Sequence, residues 1–218
     1  MTNIRAEVWK LIDTDPSLRY DLERNLLNIR AVARYFMDLG IDASEDAIIS
    51  AIRRYPKESK LKDYNKNVLK LLSKSTISTR SNIVNIAVSK GNHLKEILPQ
   101  IFSIIKFEKG EILRITQGEE NIRIIIDQKN FEQIIEVLPK KEILEIRKDL
   151  AEINIHLPKE VAQTRGLGAY LFNELLRHDI LLYEVMSCLP EFMFFVQNDQ
   201  ALKTHEVLFK IINSDKKN

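Results

Sequence analysis

The run Thr164-Arg165-Gly166-Leu167-Gly168 carries the clearest chemical signal in the chain. It stands between an alternating segment, Ile153-Asn154-Ile155-His156-Leu157, and apolar positions at helical spacing, Leu167, Leu171, Phe172, Leu175 and Leu176. A helix start leaves its first backbone N–H groups without intrahelical acceptors, and the helix dipole adds positive potential there. A bare start therefore suits a ligand carboxylate. Thr164 and Arg165 could contact such a ligand or simply face solvent, and the two glycines could equally serve a tight turn with no ligand at all.

Other reactive side chains do not gather. His93 falls in a loop, His156 on a strand, His178 at a helix end and His205 on a helix face, so no metal-ligand spacing results. Cys188 lies in a strand without an adjacent base, which argues against a nucleophile. Neither a GxxxxGK[ST] phosphate loop nor a Rossmann fingerprint occurs. No catalytic residue, metal or cofactor is expected, and the chain reads as a non-enzyme.

Around this signal the order is strand, glycine turn, helix, hairpin, helix. Leu181 to Cys188 and Phe192 to Gln197 are β-branched or aromatic runs joined through Leu189-Pro190-Glu191, where Pro fixes φ and cannot extend a ladder. The last helix has Leu202, His205, Leu208, Phe209 and Ile212 on its expected buried face. This βαββα order with its glycine turn resembles the ACT domain, and most nearly the paired ACT domains at the C-terminus of aspartate kinases. Gly166-Leu167-Gly168-Ala169 matches the family's turn, while Ser187 and Phe194-Phe195-Val196 match its hairpin. The likeness covers roughly residues 81 to 212. It implies ferredoxin-like βαββαβ modules that bind an amino acid or similar small metabolite at Thr164, Arg165, Gly166, Leu167 and Gly168. It further implies a regulatory role toward metabolic enzymes or transcription, and side-by-side assembly.

Shifting the chain on itself by 70 residues aligns Ile83 with Ile153, Ile101 with Leu171, Phe102 with Phe172, Ile105 with Leu175 and Leu138 with Leu208, so the unit is read as a tandem repeat. In this register the first copy runs as strand Asn82 to Val88, helix Leu98 to Lys106 with Pro99 just inside its start, hairpin Glu111 to Asp127 turning at Gly118, helix Asn130 to Leu138, and strand Glu142 to Ile146. Gly166 and Gly168 align with Glu96 and Leu98, which predicts a sensing second copy and a structural first copy. The second copy also lacks a fourth strand after Ile212. Its open edge should pair with the first copy or with another chain, and a homodimer is expected.

Residues 3 to 72 read as helices. Asp15-Pro16, Asn28 and Ser44 are helix starts, and Gly40 is a left-handed stop. The helix after Asn28 should bury Val32, Tyr35, Phe36 and Leu39. Two helices joined by Gly40-Ile41-Asp42-Ala43 look like a helix-turn-helix. However, Glu45 and Asp46 in the first turn of the second helix would be repelled by phosphates. Residues 52 to 80 carry nine Lys/Arg against two acids. Arg53, Arg54, Lys57, Lys60 and Lys62 could contact a DNA backbone, or form a solvated tail on a helical bundle.

The 218 residues have room for such an arrangement, and 44% hydrophobic with 29% charged residues is ordinary for a globular chain. No apolar h-region opens the sequence, no run approaches the roughly 20 apolar residues of a membrane span, and a single cysteine excludes an intrachain disulfide. A cytoplasmic protein without membrane contact is expected. The fold class expected is α+β: a helical, helix-turn-helix-like domain over 1–72, a linker over 73–81, and ACT-like modules over 82–150 and 151–218. The expected function is a ligand-sensing regulator, with transcription as one output. Open alternatives are a structural protein whose ACT-like pair only dimerises, and a regulatory partner of a biosynthetic enzyme.

Overall fold

A computed structural model describes residues 3–56 and 64–213. The chain divides into two compact units, the first ending at Tyr64 and the second beginning at Asn65.

The first unit contains α1 (Ile4–Thr14), α2 (Pro16–Glu23), α3 (Ile29–Asp38) and α4 (Glu45–Arg53). Short polar side chains start these helices as their chemistry dictates: Asp15 accepts from the Leu18 N–H, Asn28 from those of Arg30 and Ala31, and Ser44 from that of Ala47. Gly40 takes φ 98°, the left-handed exit from α3. Val8, Ile12, Leu22, Phe36, Ile48 and Ile52 form the core, and the Trp9 indole donates to the Ala51 carbonyl at 3.0 Å. The buried stripe of α3 is narrower than expected, made of Val32, Ala33 and Phe36, with Tyr35 and Leu39 half exposed. Val32, Ala33 and Phe36 share one side of the helix at its 3.6-residue period, and Tyr35 and Leu39 fall at the border of that side.

From α5 (Tyr64–Leu72), all but its first residue in the second unit, the chain continues through β1 (Thr76–Ser89), α6 (Leu94–Ile104), β2 (Leu113–Gln117), β3 (Asn121–Asp127) and α7 (Phe131–Val137). The order then recurs as β4 (Ile143–His156), α8 (Leu167–Arg177), β5 (Glu184–Cys188), β6 (Glu191–Gln197) and α9 (Ala201–Ile212). All six strands belong to one antiparallel sheet ordered β2-β3-β1-β4-β6-β5.

The long central pair corrects the expected layout of two separate modules. Residues 76 to 81, read as linker, are the first half of β1, and Thr76 to Arg80 pair with His156 to Glu152. That half-strand supplies the fourth strand absent after Ile212. Reciprocally, Ile143 to Arg147 of β4 pair with Val88 to Asn85 and serve the first copy. Of the two partners considered for the open edge, the first copy is the one present, so that edge gives no ground for a homodimer.

One face of the sheet carries helices. Over the first copy, Val84, Ile86, Ile124 and Ile126 pack with Ile97 and Ile101 of α6 and Ile134 of α7. Pro99 lies inside α6 and not at its start, because the helix begins at Leu94, four residues earlier than aligned. Over the second copy, Leu171 and Leu175 of α8 are buried while Phe172 and Leu176 are 41% and 75% exposed. On α9, Thr204, Leu208 and Ile211 face inward, whereas Leu202 and Phe209 do not. The predicted face of α8 was therefore too wide, and that of α9 was rotated: Ala201, Thr204, Val207 and Ile211 are buried with the expected Leu208 and Ile212.

The opposite face is bent into a trough. In a flat sheet, five spacings of roughly 4.8 Å would hold β2 and β5 about 24 Å apart. Here the Thr116 hydroxyl of β2 donates to the Met186 sulfur of β5 at 3.8 Å. The bend follows from irregularities in the central pair, where the register of β1 against β4 shifts between Arg80 and Ile83, between Ile83 and Asn85, and again between Ala87 and Val88. Ile83, Ile125, Leu150, Met193 and Phe195 fill the middle of the trough.

Candidate functional site

The five residues singled out from sequence lie consecutively at the corner where β4 hands over to α8. After His156 the Leu157 N–H donates to the Pro190 carbonyl at 2.8 Å, and a 3-10 turn over Lys159–Gln163 leads to Thr164. Thr164 is held locally: its N–H donates to Val161 O at 3.0 Å and its hydroxyl to Glu160 O at 3.2 Å. Arg165 is exposed. Gly166 adopts φ 84° as the N-cap of α8, a conformation that costs an L-residue with a Cβ, and it offers no capping side chain. The N–H groups of Leu167, Gly168 and Ala169 meet no acceptor among the described residues, since the first intrahelical bond runs from Tyr170 N to Gly166 O. A Cβ on Gly168 would stand 3.6 Å from the Phe172 ring, an ordinary contact, so packing does not demand glycine there.

The equivalent corner of the first copy is chemically different. At the start of α6 the N–H groups of Leu94 and Lys95 donate to the carbonyls of Gly91 and Asn92, and those of Glu96 and Ile97 both reach the His93 carbonyl. Donors left bare in α8 are consumed in α6. The His93 ring lies against Gly91, where an added Cβ would come within 2.5 Å of Nδ1.

A second polar feature lies in the trough and was not anticipated. A cleft of about 470 Å³ is lined by Ser78 and Arg80 of β1, Ile112 and Arg114, Glu152 and Asn154 of β4, and Glu191 of β6. Arg114 donates to Glu152 through Nε at 2.6 Å and Nη2 at 2.7 Å, a bidentate clamp across two intervening strands. That bond, foremost, holds the Arg114 pKa above its ordinary value. Arg80 donates to Asp127 at 3.2 Å, and Asp127 also accepts from the Ile112 N–H at 2.8 Å. The buried Asn154 Oδ1 has no hydrogen-bond partner.

The signal for this cleft is present in the sequence but hidden by the uniform shift of 70. Matching β1 to β4 takes 67 residues, as between Asn82 and Asp149, both with left-handed φ. Matching α6 to α8 takes 73, from Leu94 to Leu167, and the hairpins keep 70. At the true offset Arg80 is the counterpart of Arg147 and Ser78 that of Glu145.

In the first unit, Glu45 at the start of α4 is paired with Arg30 at 3.1 Å and Arg34 at 3.4 Å. Arg53 ends α4 and Arg54 follows it, both exposed. Lys57, Lys60 and Lys62 lie outside the described residues. Among the described residues no three His, Cys, Asp or Glu side chains gather as a metal site would require, and no helix is long and apolar enough to cross a membrane.

No protein-family model matches the chain, and no curated protein matches it in sequence. Solved structures match it in fold. Clostridium acetobutylicum aspartate kinase superposes with a TM-score of 0.51 at 18% identity, covering 63% of this chain and 34% of that one. A chain from the aspartokinase α and β subunits gives 0.50 at 15% identity, covering 63% and 97%. The regulatory subunit of aspartate kinase from Thermus thermophilus gives 0.48 at 13%, covering 62% and 95%. The chain thus spans about a third of the length of the Clostridium enzyme and shares a fold with parts of aspartate kinases.

Proposed function

We propose that this chain is a non-catalytic, ligand-sensing regulatory protein that binds an amino acid or similar small metabolite through the carboxylate, at the Thr164 to Gly168 corner. The observation that carries the reading is the set of three N–H donors at the start of α8 without acceptors, opposite an α6 start whose donors are all used. A carboxylate there would accept from the Leu167, Gly168 and Ala169 N–H groups and gain from the helix dipole. The shared fold supports a regulatory role, since the Clostridium aspartate kinase is an allosteric enzyme. A ligand so held would act by its differential affinity for two arrangements of the protein.

Output through DNA is a second reading. The pairing of Glu45 with Arg30 and Arg34 favours it, because these charges offset the carboxylate that would otherwise repel phosphate at the start of α4. Arg53 and Arg54 would then contact the backbone.

The test is thermal unfolding of the full chain with a panel of amino acids, followed by calorimetry on Gly166→Val. A ligand that binds only the folded state must raise the melting temperature. The expected result is a shift with at least one amino acid and at least tenfold weaker binding in Gly166→Val. Unchanged affinity in the variant would overturn the assignment of the corner.

A further inference from the structure

The two halves of the trough are related by the same internal two-fold that relates the strands, so each half is a control for the other. In register, Ala87 stands between Arg123 of β3 and Glu145 of β4, and Asn154 stands between Met193 of β6 and Ser78 of β1. The next row repeats the relation, with Asn85 between Ile125 and Arg147, and Glu152 between Phe195 and Arg80.

The first half is filled by its own charges. Glu145 accepts from Arg147 at 2.6 Å and from Arg123 at 2.9 Å, Arg123 continues to Glu184 at 3.9 Å, and the Arg147 guanidinium covers the Tyr183 ring at 4.8 Å. In the other half the carboxylate of Glu145 is replaced by the Ser78 hydroxyl, and the guanidinium of Arg123 by the Met193 thioether. That half is where the cleft lies.

The substitutions remove one anion and one cation, and two neighbours change with them: Glu152 stands where Asn85 does, and Arg114, at the hairpin offset, stands where Glu184 does. Arg80, counterpart of Arg147, uses one donor on Asp127, and Arg114 uses two of its five on Glu152. Both guanidinium groups retain N–H donors for a carboxylate. On the other side Glu191 and the unpartnered Asn154 Oδ1 offer acceptors to a cation. A lone anion would meet Glu152 and Glu191 and be repelled, while a lone cation would meet Arg80 and Arg114. The volume lies within the roughly 300–1,000 Å³ of small-molecule sites.

From this internal comparison we infer that the cleft is a binding site for a small zwitterion, with its carboxylate on Arg80 and Arg114 and its protonated amine or guanidine on Glu191 and Asn154. The ligand takes the place that the Glu145 carboxylate and the Arg123 guanidinium occupy in the other half. This site shares no residue with the α8 corner and does not depend on it.

Calorimetry on the full-length Gly166→Val chain, in which the α8 corner is blocked, with glycine, γ-aminobutyrate, L-aspartate and L-lysine, against propionate and propylamine as single-charge halves, tests the site. At least one zwitterion should bind, with each single-charge probe at least tenfold weaker. Ser78→Glu restores to β1 the carboxylate that β4 carries at Glu145, and should weaken binding at least tenfold while the protein stays folded. Gly166→Val should leave this binding unchanged. Should Ser78→Glu fail to fold, Arg80→Gln and Asn154→Ala, at an exposed and a half-buried position, should each give the loss. Binding unaffected by any cleft variant, a loss caused only by Gly166→Val, propionate binding as tightly as the zwitterion, or no binding across the panel would each overturn it. Of these, a loss caused only by Gly166→Val would leave the α8 assignment standing.

Discussion

Asn82 and Asp149 adopt the same left-handed backbone, φ 58° and 57°, at reciprocal bulges of β1 and β4. Each bulge adds a residue to one strand of the central pair, and together they bend the sheet until its outer strands approach. Asn and Asp tolerate this conformation better than other residues with a Cβ, and β-branched residues tolerate it worst. Asn82→Val and Asp149→Val should therefore each destabilise the second unit by roughly 1–3 kcal/mol, whereas glycine at either position should be nearly neutral. Urea unfolding checks this. A valine variant within about 0.5 kcal/mol of the parent would mean that the bulge can slide to a neighbouring residue.

These bulges also explain what the sequence did and did not reveal. Ile153, Ile155 and Leu157 announced a strand, Gly166 a turn and Asn28, Ser44 and Asp15 their helix starts, because each signal is local. The Thr76 to Arg80 half of β1 was missed because three of its five residues are exposed hydroxyl side chains, polar enough to read as linker. A repeat with a constant period could not be right, since the offset is set by loops and bulges that change it from 67 to 73 and back to 70. That error hid the correspondence of Arg80 with Arg147, and it misplaced the start of α6.

Pro99 is the sixth residue of α6, so the Lys95 carbonyl lacks the N–H that would otherwise close the helical bond. Interior proline costs a helix up to ~3 kcal/mol, offset by ~0.4–1 kcal/mol of lost freedom in the unfolded chain. Pro99→Ala should consequently raise stability by about 1–2 kcal/mol in chemical denaturation. A decrease would show that the bend imposed by proline is needed to seat Ile97 and Ile101 on the sheet.

Glu111 ties the segment after α6 to the turn before α7. It accepts from the Lys106 N–H, Asn130 Nδ2 and Lys129 Nζ, each at 2.9 Å. Led by the Lys106 N–H, these donors hold its pKa at about 2, below the ordinary 4.5. Because the folded pKa is depressed, the folded state gains stability from this carboxylate above about pH 4.5 and loses it as pH falls through about 2. Glu111→Gln should be less stable than the parent at neutral pH, with the difference narrowing between pH 4.5 and 2. Acid titration of both proteins followed by circular dichroism reads this directly, and a difference independent of pH would assign the loss to geometry and not to charge.

Arg114 and Glu152 link edge strand β2 to central strand β4 across the trough, with Glu152 only 4% exposed. Removing the guanidinium alone leaves a buried carboxylate without its bidentate partner, and such losses reach 3–5 kcal/mol for fully buried pairs. Arg114 keeps 23% of its side chain in solvent, so water can partly replace it, and Arg114→Met should cost about 2–3 kcal/mol. Replacing both ends, as Arg114→Met with Glu152→Gln, removes the uncompensated charge together with its partner. The double variant should therefore recover at least about 1 kcal/mol relative to Arg114→Met, a coupling within the range expected for contacting residues. A double-mutant cycle by urea unfolding measures that coupling. If the two losses simply add, the clamp contributes little to holding the curled sheet, and its place beside the cleft is the better reason for the charged pair.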